Sequence, residues 1–109
     1  MRFVISVIDS QTRSPHSPEE IAAIDAINVE MVNAGYRVFA GGLDSPDSSA
    51  VFDYRVGSTS KTDGPFKPGS EFFSGFWIID AESQLRAEEI AMAGSLACNR
   101  RVELRPFIH

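Results

Sequence analysis

With 109 residues, 43% of them apolar and 23% charged, the chain fits one folded domain over residues 1–109 and excludes a disordered segment or a fibrous repeat. Its formal charge of −5 is the wrong sign for neutralising a phosphate backbone, so nucleic acid is not expected as a partner. The single cysteine, Cys98, excludes an internal disulfide; set between Ala97 and Asn99, it reads as a small buried side chain in a reducing, cytoplasmic setting.

Taken in chain order, Phe3 to Ile8 is rich in β-branched residues and predicts a first strand. Arg2 before that run gives it a superficial likeness to a signal peptide, but it is too short and ends at Asp9. Asp9 to His16 reads as a polar loop. Ser17-Pro18-Glu19-Glu20 is a capping box with Pro at the first helical position, and it opens a helix expected from Pro18 to Ala34. Ile21, Ile24, Ile27, Met31 and Val32 supply its apolar stripe, and Gly35 its left-handed stop.

Tyr36 to Ala40 predicts a second strand and Ala50 to Val56 a third, joined as a hairpin across the turn-rich segment from Gly41 to Ser49. Gly57 to Ser70 reads as a loop. Phe72 to Ile79 is almost wholly apolar and predicts a strand that needs cover on both faces. Ser83 opens a second helix, expected over Gln84 to Ala93, with Leu85, Ile90, Ala91 and Met92 as its apolar content and Gly94 as its stop. Arg101 to Phe107 alternates as a last strand, and Arg100, Arg101 and Arg105 read as a solvated strand face. No run approaches the roughly 20 apolar residues of a membrane helix.

The order β-α-β-β-β-α-β predicts an α+β fold: an antiparallel sheet with two helices on one face, the ferredoxin-like plan with an added hairpin strand. Helices on one face leave part of the aromatic strand bare, and a two-fold homodimer with sheets face to face is the economical cover.

Asp63-Gly64-Pro65-Phe66, then Gly75-Phe76-Trp77-Ile78-Ile79-Asp80, Ser83, and Val102-Glu103-Leu104-Arg105-Pro106 follow one another at short spacing. With Ser17-Pro18-Glu19, Ala34-Gly35 and Gly41-Gly42-Leu43, these segments resemble the DGPF-domain proteins, part of the YCII-related family. The resemblance implies a dimeric α+β barrel of ferredoxin-like subunits. It also implies that a small lyase or dehydrohalogenase activity, served by a His and Asp pair, occurs among the relatives. Two departures stand out: Lys67-Pro68-Gly69-Ser70 follows Phe66 where relatives carry Glu and Lys, and Asp44 stands where relatives often have His or Gln.

From the residues themselves, Asp63 reads as the acceptor of a tight turn, Gly64 as its positive-φ position, Pro65 as its stiff exit and Phe66 as an apolar anchor. The same loop is a candidate wall of a cleft for a small organic molecule, lined by Asp44, Asp63, Gly64, Pro65, Phe66, Glu71 and Trp77, with Phe76 beside them. Asp63 and His16 are the candidates for moving a proton in a lyase- or hydrolase-type enzyme, and a non-catalytic dimeric regulatory module is the other reading. No nucleotide fingerprint or metal-ligand cluster occurs, so neither cofactor nor metal is expected.

Overall fold

Alternation along the first apolar run decides where the core lies. In the computed structural model, which describes residues 1–10 and 15–109, this run is strand β1 (Arg2–Ser10), with Phe3, Ile5 and Val7 buried on one face and Val4 and Ser6 on the other. The strand takes in the start of the expected loop at 9–16, whose middle, 11–14, lies outside the described residues. Both halves of the capping box then form: Ser17 Oγ accepts from the Glu20 amide at 3.1 Å, and Glu20 Oε1 accepts from the Ser17 amide at 3.2 Å. Helix α1 (Pro18–Asn33) follows and ends at Gly35, whose φ of +80° no β-carbon opposes. Ile27 and Met31 are buried, with Ile24 packed beside them, whereas Ile21 and Val32 lie on the shoulder of that stripe and stay exposed.

The expected hairpin between the second and third strands is not what forms. Strand β2 (Arg37–Gly42) pairs with the aromatic strand β5 (Glu71–Asp80), while β3 (Ala50–Asp53) and β4 (Ser60–Asp63) make a separate two-stranded hairpin. A 3-10 turn at Pro46–Ser48, held by Asp44 and Ser45, carries the chain off the sheet edge before β3 begins. β3 stops short of Val56 because the turn starts there: the Ser58 amide donates to Arg55 O at 2.8 Å, and Gly57 takes a φ of +89°. Its partner, Ser60-Lys61-Thr62-Asp63, carries no apolar alternation and is held to β3 by main-chain pairing.

Helix α2 (Gln84–Cys98) starts at Ser83, whose Oγ accepts from the Arg86 amide at 3.1 Å. It runs through Gly94, the expected stop, and ends at Asn99 with φ 53°, one of the few side chains that tolerates the left-handed region. Gly94 serves close approach instead: a β-carbon there would come within 3.2 Å of the Trp77 ring. The buried face of α2 is Ala87, Ile90, Ala91, Gly94 and Cys98, a mostly small-residue stripe that lets the helix settle on the sheet, and Leu85 and Met92 point to solvent. Strand β6 (Arg101–Pro106) closes the sheet in the order β2-β5-β1-β6, antiparallel throughout, with both helices packed on the face of Phe3, Ile5, Trp77 and Ile79. This is the ferredoxin-like arrangement with the β3–β4 hairpin inserted before β5.

The other face of the sheet has no second layer among the described residues. Val4, Phe39 and Ile78 share it through their cross-strand pairing, Phe39 is 60% exposed, and its ring lies 6.0 Å from that of Phe76. The molecule measures 47 × 36 × 18 Å, and its radius of gyration of 15.9 Å exceeds the about 13 Å of a compact chain this long. The short axis is two layers thick.

Candidate functional site

The turn from α2 into β6 delivers one side chain that the sequence places on a solvated face. Arg100 is 5% exposed, its Nε lies 3.1 Å from Asp9 Oδ1 at the end of β1, and its Nη1 lies 3.6 Å from Glu20 Oε1 at the start of α1. A guanidinium is always charged, so one carried this deep needs carboxylates around it, and the fold draws two from distant elements. Arg101 and Arg105 do lie on the exposed strand, paired with Glu71 and Glu103.

Glu20 is the junction of this cluster. Its Oε2 accepts from Asn99 Nδ2 at 2.9 Å, and its Oε1 faces His16 Nδ1 at 3.1 Å in addition to the Ser17 amide and Arg100. The hydrogen bonds from Asn99, then His16, then the Ser17 amide hold its carboxyl down to about 2, from an ordinary 4.5. An ionised carboxylate only accepts, so a neutral His16 ring carries its hydrogen on Nδ1, toward Glu20, and its lone pair on Nε2. His16 is therefore a half-buried, oriented histidine and not a free loop side chain.

His16 also borders a cavity of about 550 Å³ between α1 and the β2–β5 side of the sheet. Ile24 and Trp77 give it apolar walls, and Trp77 is fixed by its indole N–H donating to Asn28 Oδ1 at 3.0 Å. Where the cavity meets the strands, Gly42 and Gly75 leave bare backbone; a β-carbon on Gly75 would lie 3.0 Å from Gly41 O. Cys98 borders the cavity as well, and burial pushes its thiol up, away from the thiolate a nucleophile needs.

The other residues that the sequence singles out fall elsewhere. Asp63 ends β4 with its carboxylate in solvent, 3.6 Å from Lys61 Nζ. Gly64 takes a φ of +104°, and its amide donates to Ser49 O at 2.7 Å, so the turn forms. Phe66, expected as an apolar anchor, is 80% exposed, because among the described residues none covers its ring. Glu71 pairs with Arg101. Asp44 accepts from the Ser45 amide at 2.7 Å and from Ser48 Oγ at 3.1 Å; with Pro65, Phe72 and Phe73 it lines a second depression of about 360 Å³. Thus His16, Trp77 and Phe76 meet at the larger cavity, and Asp44 and Pro65 at the smaller. Among the described residues no three His, Cys, Asp or Glu side chains converge as a metal-ligand set.

Sequence reasoning missed Glu20 as an orienting group because its helix-capping role already accounts for it. The available signal was its spacing from His16, four residues on, at the first turn of a helix.

The depressed Glu20 carboxyl makes stability depend on pH. A group with a lowered folded value stabilises the fold above its unfolded value, and that stabilisation is lost as pH falls toward the folded one. Denaturant unfolding measured at a series of pH values should therefore show stability dropping between about 4.5 and about 2. Glu20→Gln should be less stable at neutral pH and show a shallower drop over that window. Parallel curves for the two proteins contradict the assignment.

The family model for the YCII-related domain matches residues 1–108. No curated protein matches the sequence. The match spans the described helices and strands, the Glu20 cluster and the cavity that His16 borders, so the chain belongs to the YCII-related domain family.

Proposed function

We propose that the chain is one domain that binds a small organic molecule in the 550 Å³ cavity beside α1, where His16 acts as a general base in a lyase- or hydrolase-type reaction. The observation that carries this reading is His16 itself: a histidine at a cavity wall, with one ring nitrogen committed to an ionised carboxylate and the other left with its lone pair. Glu20 stands as the orienting group. The volume suits a molecule of metabolite size, and apolar walls with few polar groups are the usual composition of such sites.

Asp63 is the other candidate for proton transfer. Its carboxylate is in solvent beside Lys61, so the base role goes to His16, and the loop around Asp63 and Asp44 frames the smaller depression. The lone, buried Cys98 suits a cytoplasmic setting.

The reaction is read directly from hydrogen exchange. In D₂O, small organic acids, lactones and aromatic metabolites offered to the protein should include at least one that gains deuterium at a C–H position, followed by NMR. His16→Gln should slow that gain by about a hundredfold or more while leaving quenching of Trp77 fluorescence by the same compound unchanged. Exchange at the wild-type rate in the variant contradicts the base assignment and favours a binding or regulatory module.

The second part of the proposal is a homodimer joined through the open sheet face, which makes the dimeric α+β barrel. Its support is the bare Phe39–Phe76 surface and a hairpin carrying Phe52 at 65% exposed away from its own core. Light scattering should give twice the 11.9 kDa chain mass, and Phe39→Glu should return it to the single-chain value. A wild-type mass of 11.9 kDa overturns the dimer.

A further inference from the structure

We infer that the cavity takes a small organic carboxylate, with Arg37 holding the carboxylate and His16 facing the reacting part of the molecule. The inference rests on the reading of this cavity as the ligand site.

Arg37 opens β2 at the edge of the sheet and borders the cavity together with Asn28 and His16. Its cross-strand partner is Ile79, a core residue, which places Arg37 on the helix-covered face. It also reaches a shallower depression beside Val29 and Val32, so it stands at the rim, neither fully buried nor free in solvent.

What separates Arg37 from the other described arginines is that no described carboxylate lies within ion-pair distance of it. Arg2, Arg55, Arg86, Arg100, Arg101 and Arg105 each lie within ion-pair distance of a carboxylate of this chain. Among the described residues, none offers Arg37 one, although acids outnumber basic residues 15 to 10 in the sequence. A protein of net charge −5 repels an anionic ligand at long range, so binding one needs a local cation not already neutralised. Arg37 is that cation.

Two of the other polar side chains at the cavity are already engaged. Asn28 uses its Oδ1 on Trp77 and donates its Nδ2 to Ile24 O at 3.0 Å, and His16 Nδ1 is held by Glu20. The Arg37 guanidinium offers a planar fork, which matches a carboxylate with two parallel N–H···O bonds, and His16 offers Nε2. Trp77 and Ile24 line the same cavity and suit an apolar body. A ligand with a carboxylate and an apolar or aromatic body satisfies all three.

Trp77 is the chain's one tryptophan and borders the cavity, so its fluorescence reports occupancy. The probes are benzoate, phenylacetate and 3-phenylpropanoate, each titrated beside its neutral amide. At least one acid should bind about tenfold or more tighter than its amide, the margin a charge-assisted hydrogen bond supplies. Arg37→Gln should remove that margin while still binding the amide, which shows the variant folded, and Arg37→Lys should keep part of it. Equal binding of acid and amide to the wild type, or an acid preference that survives in Arg37→Gln, overturns the carboxylate inference and leaves the cavity as a ligand site. If neither acids nor amides perturb Trp77, the inference and the cavity reading both fall.

Discussion

A buried guanidinium cannot shed its charge, and the architecture around Arg100 follows from that constraint. Its partners come from the end of β1 and the first turn of α1, 91 and 80 residues away along the chain, so satisfying it draws three elements to one point. Removing Arg100 would take from Asp9 and Glu20 the cation that both carboxylates approach. The cluster thus fixes where α1 begins, and the start of α1 is where Glu20 and His16 stand.

The orientation of His16 arises here from a structural device. The capping box needs Glu20 turned back toward Ser17, and the same orientation presents Oε1 to His16 Nδ1. One carboxylate caps the helix, answers Arg100 and sets a tautomer. The cavity beyond is kept open by glycines: Gly42 and Gly75 put backbone where side chains would fill it, and Gly94 lets α2 close on the far side of Trp77. The ring of Trp77 is therefore held between Asn28 of α1 and the backbone of α2, rigid enough to serve as a wall.

Local signals in the sequence were sufficient wherever a local interaction decides the structure. Ser17, Glu20 and Gly35 bound α1 because capping and a positive φ act within a few residues, and the alternation of Phe3, Ile5 and Val7 marks a strand through burial alone. The failures share a different cause. Ser60 to Asp63 is a strand only because Ala50 to Asp53 lies opposite, and its own side chains carry no trace of that pairing. Gly94 reads as a helix stop because a glycine's use for close packing depends on Trp77, which comes from another element. Arg100 sits beside two exposed arginines in sequence, yet its burial is set by Asp9 and Glu20. For the site, Trp77 and His16 were legible as candidates, but the bond that makes His16 more than a loop residue depends on a carboxylate already explained by the helix cap. Arg37 carried no signal, since what distinguishes it is the absence, among the described residues, of a carboxylate beside it in three dimensions.

The central claim is that Glu20 fixes the His16 ring with its hydrogen on Nδ1 and its lone pair on Nε2. Nitrogen-15 NMR of the imidazole measures this most directly, and with two histidines in the chain, His16→Gln assigns the signals. The account predicts that the neutral His16 ring in the wild type is held as the Nδ1–H tautomer and that Glu20→Gln releases it to a mixture of the two tautomers. A wild-type His16 with its hydrogen on Nε2, or one that averages between the two forms, contradicts it.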